Sequence, residues 1–538
     1  MSNIVLKQIE EVLDRQEQGR NAKYKLSDIP EAHLIPGMKE ASAKIIEIFK
    51  KKELLLLVGD YDADGIFASS IFIDFCRLAG FGDYVDYIVP DRFVDGYGVS
   101  KNMVNYASLN NFKHIITVDN GIGAKEATDY AKEVGIETVI ITDHHTPKED
   151  TIPDVDIIVD LKLNQGDFPF VDISGATIAW YLCVQIREDL NLNIDMRQWL
   201  DLVAITVISD VMPLQDINLA FYTHGIELLR NSSRPWVDMI FESNTENITE
   251  ADLGFRLVPM INAIGRLDHA KHAIEMVLSK ERSFMRKKVE FLLETNNKRK
   301  IMTESFLHRV SSEAASQFQN GDKAIILFDD DLHEGIVGII AGKIAETYQR
   351  TAFVFTWNRA KQCWKGSGRT SGAVHLYNMC LAAQDSVLGF GGHAGAIGVA
   401  LTEDQRKEWI AKIKKEAKKN SDELFLPLGE KPFIIDISDI TEDLYNKIDS
   451  YRPFGNAFPE PLFRTEGIFI ASNSYGMSSN HWKGSFSSKK SDASIQTWFF
   501  HNKDAGKFSN KNVDITFKIV KSSFKGEDQI LIHGNLPK

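Results

Sequence analysis

The 538-residue sequence has few cysteines, no long apolar run and no excess of positive charge. Its four cysteines, Cys76, Cys183, Cys363 and Cys380, lack the spacing of a zinc site or a redox motif, so we expect reduced thiols in a cytosolic protein. No stretch approaches the roughly 18 apolar residues that a membrane span needs, and the N-terminus has no apolar core of a signal peptide. These absences predict a cytoplasmic protein without a membrane partner.

The net charge of −13 does not indicate a nucleic-acid partner through bulk charge. Phosphate binding depends on local basic patches, however, so such a partner remains open. The chain is long enough for three or four domains with sizeable cores, and its apolar and charged fractions are those of an ordinary globular protein.

The pattern of apolar residues predicts an α/β protein with a C-terminal all-β domain. Apolar runs alternate with helical segments over residues 54–163, which indicates βαβ units and a parallel sheet. Residues 281–319 contain no proline or glycine and predict a long connecting helix. A second, smaller α/β domain begins near residue 324, and short β-rich runs from about residue 433 predict a barrel or sandwich. We place the domains at residues 1–45 (N-terminal helical segment), 46–235, 236–320 (linker region with the long helix), 321–425 and 426–538.

Four clusters of acidic residues and histidines lie in the first 210 residues. Three of them directly follow short apolar runs typical of buried strands. Because ligands gather beyond the carboxyl ends of parallel strands, we expect the clusters to meet there. The clusters are Asp60-Tyr61-Asp62-Ala63-Asp64-Gly65, Asp119-Asn120-Gly121, Asp143-His144-His145 and Ser209-Asp210.

Such a site needs cations. Two carboxylates about 4 Å apart repel each other by roughly 4 kcal/mol at an effective dielectric constant near 20. A set of carboxylates with one or two imidazoles suits Mn²⁺ or Mg²⁺ better than structural zinc, which usually takes thiolates.

The first cluster alternates acidic residues after a strand. In an extended segment residues i and i+2 point to the same side, so we expect Asp60, Asp62 and Asp64 to face one pocket. Gly65 would then allow the turn into the next helix. A loop that merely caps that helix is the alternative. A calcium loop is excluded because the following residues are apolar and supply no glutamate at the last ligand position.

The other clusters also have plain structural alternatives. Asp119-Asn120-Gly121 alone is typical of a turn with a helix cap, and His144 and His145 could be surface residues beside a turn. Asp210 ends a mainly apolar helix, where the helix dipole disfavours a negative charge and a metal ion would compensate it. Their common position at strand and helix ends favours a site.

In order, the four clusters resemble the four motifs of the DHH phosphoesterase superfamily. Later segments are similar to motifs of the bacterial single-strand-specific 5′-to-3′ DNA exonucleases of that superfamily: residues 262–267, 333–338, 366–370 and 391–394. The resemblance is dense over residues 50–400. It extends more weakly into the C-terminal domain, which is an OB-fold in those enzymes.

The resemblance implies a metal centre with two Mn²⁺ ions, or Mg²⁺ in their place. Its implied ligands are Asp62, Asp64, Asp119, His144 and Asp210, with Asp60 as an additional acid. Asp119 would bridge the two ions. His145 would lie near the scissile phosphate, and Asp143 would orient the histidine pair.

The second α/β domain, which the resemblance identifies as DHH-associated, is expected to hold the nucleic-acid strand. Gly391 and Gly392 would let backbone amides approach a phosphate, and His393 would add a donor. Ser367 and Arg369 would contact the strand's backbone. A flexible glycine-rich loop is the alternative for residues 389–398.

Two more arginines are candidates for the substrate site. Arg266 is expected to reach into the cleft between the two α/β domains, with a surface salt bridge as the alternative. Arg92 lies in a segment that resembles one near the 5′-phosphate. One position departs from the pattern, because the similar enzymes commonly carry an arginine where Met260 stands. The missing cation puts in doubt how tightly this region binds a phosphate.

The C-terminal segment is locally basic. Residues 481–538 contain ten lysines and five acidic residues, interleaved with Trp482, Phe486, Trp498 and Phe508. Aromatic rings beside cations suit unpaired bases, and each stacked base contributes roughly 1–3 kcal/mol. The alternative is that these aromatic residues form the core of the domain.

The leading hypothesis is an exonuclease that removes nucleotides from the 5′ end of single-stranded DNA in repair or recombination. One rival is a DHH phosphodiesterase acting on short oligonucleotides or cyclic dinucleotides, and another is a non-catalytic replication scaffold. We expect a monomer. A single-strand-binding protein or a helicase is a candidate partner.

Overall fold

The computed structural model describes residues 2–20, 24–96, 98–231, 234–242, 244–426, 431–475, 481–500, 505–524 and 527–535. The chain forms two compact units. One is Lys23–Leu426, and the other combines Met1–Ala22 with Pro427–Lys538. No helix of the described residues is both long enough and apolar enough to cross a membrane.

The first sheet is parallel and has five strands in the order β2-β1-β3-β4-β5. Its strands are β1 (Leu55–Val58), β2 (Val85–Ile88), β3 (His114–Val118), β4 (Thr138–Thr142) and β5 (Ile157–Val159). The strands β1, β3 and β4 are buried throughout, as expected for apolar runs covered on both faces. The strand order reverses between β1 and β3, which makes their carboxyl ends the expected ligand crevice.

Helices accompany this sheet and extend the same unit. They are Met38–Lys50, Ala63–Leu78, Lys101–Leu109, Lys125–Glu133, Gly175–Asp189, Leu200–Ser209, Asp216–Arg230, Pro235–Phe241, Glu250–Asp252, Val258–Leu267 and Lys271–Leu278. The four cysteines are buried and unpaired, as the sequence predicted.

The predicted long connecting helix is confirmed and spans Arg282–Gln319. Its first part contributes Met285, Val289 and Leu292 to the core of the first domain. Farther along, Phe306 and Val310 pack in the core of the second α/β domain. The helix therefore joins the two domains by sharing residues with both cores.

The second α/β domain has a mixed sheet in the order β6-β7-β8-β10-β9. Its strands are β6 (Ala324–Asp329), β7 (Thr351–Asn358), β8 (Cys363–Arg369), β9 (Gly389–Gly392) and β10 (Ala396–Leu401), and its main helices are Val337–Tyr348, Leu376–Leu381 and Glu403–Lys418. Only β6 and β7 pair in parallel. The glycine-rich segment, for which a flexible loop was the alternative, forms the edge strand β9 and part of β10.

The other unit contains a small closed barrel. Its strands are β11 (Phe433–Ile434), β12 (Phe463–Tyr475), β13 (His481–Ser488), β14 (Ser494–Phe499), β15 (Lys511–Phe524) and β16 (Glu527–Asn535), with a helix at Glu442–Asp449. Pairing of β12 with β15 closes the sheet. The N-terminal helix Ser2–Gly19 belongs to this unit, because Ile9 and Leu13 are buried in its core. Nothing in the sequence pattern indicated that this helix packs against the barrel.

Candidate metal centre and anion pocket

The four acidic clusters meet at the carboxyl ends of the first sheet. The strands β1, β3 and β4 deliver the first three clusters, and the helix Leu200–Ser209 ends at Asp210. Three groups of side chains each bring their ligand atoms within 4.8 Å of one another. These groups are Asp60 with Asp62 and Asp119, Asp64 with His144 and Asp210, and Asp119 with His144 and His145.

The three acids of the first cluster reach the site, but not along one extended segment as the sequence suggested. Asp62 caps the helix Ala63–Leu78 by accepting a hydrogen bond from the amide of Gly65 at 3.2 Å. Asp64 lies in the first turn of that helix, and its carboxylate accepts hydrogen bonds from the amides of Gly175 and Ala176. The extended-segment argument was therefore wrong, because the helix begins between these two acids.

Asp119 lies at the centre of the arrangement and is 1% exposed. Neither of its carboxylate oxygens has a hydrogen-bond partner among the described residues, and the same holds for Oδ2 of Asp60. The Oδ1 atom of Asp119 lies 3.0 Å from Nε2 of His144. Since a buried carboxylate without a donor is costly, the donor set fits divalent cations that prefer oxygen with some imidazole.

Burial and mutual repulsion dominate the electrostatics of this cluster. Burial raises the pKa of Asp60, Asp64 and Asp119 well above the ordinary value, and neighbouring carboxylates add to the effect. Burial, followed by repulsion from Asp62, raises the pKa of Asp210 to about 7. Without cations, these acids favour their neutral forms.

This predicts an unusual pH dependence for the metal-free protein. An acid with a raised pKa in the folded state binds its proton more tightly when folded, so stability is lost as the pH rises towards the folded pKa. We expect thermal unfolding in chelator to show a lower free energy of unfolding at about pH 8.5 than at about pH 6.5, by on the order of 1 kcal/mol. The raised pKa of His145 acts in the same direction over that range.

Saturating Mn²⁺ should reverse this trend, because bound cations favour the ionised acids. The Asp210→Asn variant provides the control and should show a flatter dependence in chelator. A metal-free protein that became more stable from about pH 6.5 to 8.5 would contradict the assignment of the raised pKa values.

The two histidines have different environments. His144 is 3% exposed, and burial lowers its pKa to about 3, so the ring is neutral and available as a ligand. His145 is half-buried, and its Nδ1–H donates a hydrogen bond to Asp143 at 2.7 Å. Burial alone would lower the pKa of His145, but Asp143 outweighs it and raises the pKa to about 9. Asp143 also accepts hydrogen bonds from the amides of both histidines and of Ile122.

Three arginines converge beside the metal centre from separate elements of the same unit. Arg92 follows β2, Arg266 lies on the helix Val258–Leu267, and Arg369 ends β8. Burial, followed by the nearby guanidinium groups of Arg92, Arg299 and Arg369, lowers the pKa of Arg266 to about 10. Burial and Arg92 also lower the pKa of Arg369. Guanidinium groups this close together favour a bound anion, which would offset their repulsion, and we call this group the arginine pocket.

The other predicted substrate residues surround Arg369. The Oγ atom of Ser367 accepts a hydrogen bond from Nη1 of Arg369 at 2.6 Å. Ser367 pairs with Gly398, which pairs in turn with Gly391 on the edge strand. His393 lies largely at the surface. Its partial burial, followed by the nearby charge of Arg369, lowers the pKa of its imidazole. Gly392 has a φ of +149° and lies where a side chain would collide with the backbone of β10.

Several residues that build the site were not among the predicted ones. A side chain at Gly175 would lie 2.5 Å from Asp119, so this helix start can approach the metal centre only as glycine. The side chain of Asn262 accepts a hydrogen bond from the amide of Ala63 at 2.8 Å and joins the helix of Arg266 to the first cluster. The guanidinium of Arg92 lies 5.1 Å from the ring centre of Tyr61.

Met260 is 1% exposed and packs in the core of the first domain. Met260 and Asn262 lie on the same helix, Val258–Leu267, and it is Asn262 that contacts the first cluster, through the amide of Ala63. Met260 therefore has a packing role in this chain.

Comparisons with known proteins identify three domains in the chain. The model of the DHH family N-terminal domain matches residues 55–207, the DHHA1 domain matches residues 321–419, and the RecJ OB domain matches residues 433–533. Each matched region contains one of the three sheets.

The chain is also similar to curated relatives. It is 30% identical over 463 residues to the single-stranded-DNA-specific exonuclease RecJ of Salmonella typhimurium, and the match covers 80% of this chain and 78% of the relative. The corresponding Bacillus subtilis protein is 31% identical over 438 residues, which are 81% of this chain and only 54% of that relative.

The chain is also similar to solved structures. One is RecJ from Thermus thermophilus in complex with Mn²⁺, with a TM-score of 0.77, 25% identity, and coverage of 95% of this chain and 73% of that one. The other is an exonuclease RecJ bound to manganese, with a TM-score of 0.63 and 28% identity. The match covers 72% of this chain and 96% of that one.

Proposed function

Because the chain belongs to the RecJ family of DHH phosphoesterases, we propose that it is a metal-dependent exonuclease that hydrolyses single-stranded DNA from the 5′ end. The observation that carries this proposal is the buried carboxylate of Asp119, which accepts no hydrogen bond among the described residues, in a site whose Tyr61 feels the charges of Arg92 and Arg266. Such a site can hold cations, a scissile phosphate and a second, terminal phosphate.

The resident cations would be Mn²⁺, as named for the two similar structures, with Mg²⁺ as the alternative. The proposed ligands are Asp60, Asp62, Asp64, Asp119, His144 and Asp210. When bound, a pair of divalent cations supplies charge stabilisation at the phosphate and makes hydroxide available near neutral pH.

His145 and Asp143 act at the scissile phosphate in this proposal. Because Asp143 accepts a hydrogen bond from Nδ1–H and raises the pKa to about 9, His145 carries a proton that it can donate near neutral pH. That proton can neutralise a phosphate oxygen or pass to the leaving oxygen. Asp143 is a positioning residue, since its oxygens are taken by the hydrogen bonds that fix the loop.

The arginine pocket determines the end of the strand from which hydrolysis starts. If Arg92, Arg266 and Arg369 hold the 5′-phosphate of the first nucleotide, the next phosphodiester lies towards the metal centre. Water then attacks that phosphorus, the bond to the 3′-oxygen of the first nucleotide breaks, and the 3′-oxygen takes up a proton. The shortened strand keeps the phosphate as a new 5′-phosphate, which suits the same pocket. Ser367, Gly391, Gly392 and His393 would line the path of the strand.

A substrate comparison tests the proposal. Oligonucleotides labelled at either end, single-stranded or in blunt duplex, are incubated with the protein and Mn²⁺. We expect mononucleotides to be released first from the 5′ end, at a rate at least about tenfold higher on the single strand. Equal rates on both substrates, or release from the 3′ end first, would contradict the proposal. Preference for a dinucleotide over a forty-nucleotide strand would favour the short-substrate rival.

The biological setting is part of the proposal and rests on the DNA substrate. A role in repair or recombination, in the cytoplasm, would require delivery of single strands by a single-strand-binding protein or a helicase. We propose a monomer, because one chain supplies all six candidate ligands and all three arginines. Sedimentation of the protein with and without DNA measures its mass in solution and tests whether it is monomeric.

A further inference from the structure

The arginine pocket draws its side chains from two domains, and one histidine contacts the segments on both of its sides. Arg92 lies on the loop after β2, and Arg266 lies on the helix Val258–Leu267 of the first domain. His333 comes from the second α/β domain, where it directly precedes the turn Glu334–Ile336. The sequence assigned no role to this histidine.

The imidazole of His333 fixes the turn that contacts Arg266. Its Nδ1 atom accepts a hydrogen bond from the amide of Gly335 at 3.1 Å. The carbonyl of Gly335 in turn accepts a hydrogen bond from Nη1 of Arg266 at 3.4 Å. A side chain at Gly335 would lie 1.9 Å from the backbone oxygen of Arg266, so the two segments touch closely at this point. His333 therefore acts on Arg266 through a single backbone residue.

The same ring contacts the loop that carries Arg92. The ring of Phe93 lies edge-on against His333, with centroids 5.3 Å apart and an angle of 89° between the planes. Within the loop, Asp91 accepts a hydrogen bond from the amide of Phe93 at 2.8 Å, and Asp95 accepts one from the amide of Asp91 at 2.9 Å. Because these bonds hold the loop as one piece, the contact at Phe93 also fixes the position of Arg92.

The charge state of His333 suits this position. Since Nδ1 accepts a hydrogen bond, the proton of the neutral ring lies on Nε2. Burial, followed by the charge of Lys298, lowers the pKa of the imidazole, so the ring is neutral at neutral pH. A neutral ring adds no repulsion to a pocket that already contains three guanidinium groups.

The pocket needs such a contact because its cations repel one another. Arg369 is held within its own domain by a hydrogen bond to Ser367. Arg92 and Arg266 come from the other domain, and His333 reaches the segments of both. One side chain thus ties together the parts of the pocket that the fold brings from different elements.

We propose that His333 is a positioning residue that joins the two domains at the arginine pocket and holds Arg92 and Arg266 at the spacing of a terminal phosphate. This inference deepens the proposed function and rests on it for the identity of the anion. It predicts that His333 governs recognition of the 5′-phosphate and leaves the chemical step at the metal centre unchanged.

Binding of two strands that differ only in the 5′ group tests the proposal. Ten-nucleotide strands with a 5′-phosphate or a 5′-hydroxyl, labelled at the 3′ end, are titrated with the full chain in chelator, so that no DNA is cleaved. We expect the wild type to bind the phosphorylated strand more tightly. His333→Ala should reduce that preference about tenfold because two arginines lose their fixed positions, while binding of the hydroxyl strand changes by less than about twofold.

Two further variants separate the two contacts of His333. His333→Asn keeps a side-chain acceptor for the amide of Gly335 and loses the ring. His333→Phe keeps a ring against Phe93 and loses the acceptor. Each should retain part of the preference for the phosphate. Because Phe93→Ala and His333→Asn remove the same ring contact, their combination should cost little more than either change alone, and additive losses would overturn a role for that contact.

His269→Ala is the matched control. Nδ1 of His269 accepts a hydrogen bond from the amide of Lys271 at 3.2 Å, which is the same kind of bond, in the turn before the helix Lys271–Leu278. This variant should keep the preference of the wild type. With Mn²⁺, the His333 variants should keep the kcat of the wild type while KM for the phosphorylated strand rises. A merely structural role would weaken both strands alike.

The outcomes separate this inference from the proposed function. If the wild type prefers the phosphorylated strand and His333→Ala keeps that preference or weakens both strands equally, positioning by His333 is overturned. A wild type that cleaves single strands without any preference for the phosphate also overturns it. If the wild type neither binds nor cleaves single strands, the proposed exonuclease function fails. Loss of the preference in His333→Ala, with partial recovery in His333→Asn and His333→Phe, supports the proposal.

Discussion

Asp119→Asn is expected to lower the rate of DNA hydrolysis by at least about a thousandfold, while the metal-free protein becomes no less stable than the wild type. Asp119 is buried, and within the described chain its carboxylate has no hydrogen-bond donor. Its charged form is therefore costly without a cation, and the neighbouring Asp64, Asp62 and Asp60 add to that cost, so a neutral amide is tolerated there. Loss of activity with retained stability is the signature of a ligand rather than of a structural residue.

Two measurements check this expectation. Steady-state cleavage of a single strand gives the rate, and thermal unfolding in chelator and in Mn²⁺ gives the stability and the stabilisation by metal. The wild type should gain stability from Mn²⁺, and Asp119→Asn should lose most of that gain.

Asp74→Asn is the matched control for Asp119→Asn. Asp74 lies on the helix Ala63–Leu78 and accepts a hydrogen bond from the indole of Trp199 at 2.9 Å, outside the metal centre. This variant should be less stable but retain its activity and its response to Mn²⁺. A metal response in Asp119→Asn as large as that of the wild type would remove Asp119 from the ligand set.

Arg92→Ala is expected to abolish a preference for 5′-phosphorylated over 5′-hydroxyl strands, with a loss of about 10- to 100-fold in kcat/KM on the phosphorylated strand. Arg92 lies on a loop against the ring of Tyr61, and its charge is among the causes that lower the pKa of Arg266 and Arg369. Removing it takes one cation from the pocket and leaves the metal centre untouched.

The comparison uses two strands of identical sequence that differ in the 5′ group. The hydroxyl strand should be cleaved by Arg92→Ala and the wild type at similar rates, since it never offers the terminal phosphate. Arg197→Ala serves as control, because Arg197 is exposed on the same unit and paired with Asp195. If Arg92→Ala slowed both strands equally, the pocket would not be a terminal-phosphate site.

Local sequence determined the scaffold of the metal centre. Short runs such as Leu55–Val58 and His114–Val118 are too apolar to lie at a surface, so they form buried parallel strands, and the acids after them must meet at one edge of the sheet. The long helix Arg282–Gln319 was likewise predictable, because no residue in it interrupts helical hydrogen bonding.

Long-range packing decided the rest. The arginine pocket depends on three elements that the sequence separates by more than a hundred residues, and their meeting follows from how two domains pack along one helix. The N-terminal helix could have buried its apolar stripe on any apolar surface, and only the folded chain selects the barrel. Composition also could not tell which aromatic residues of the barrel face outwards. Phe499 and Phe500 are the same residue type in adjacent positions, and only strand register buries one and exposes the other.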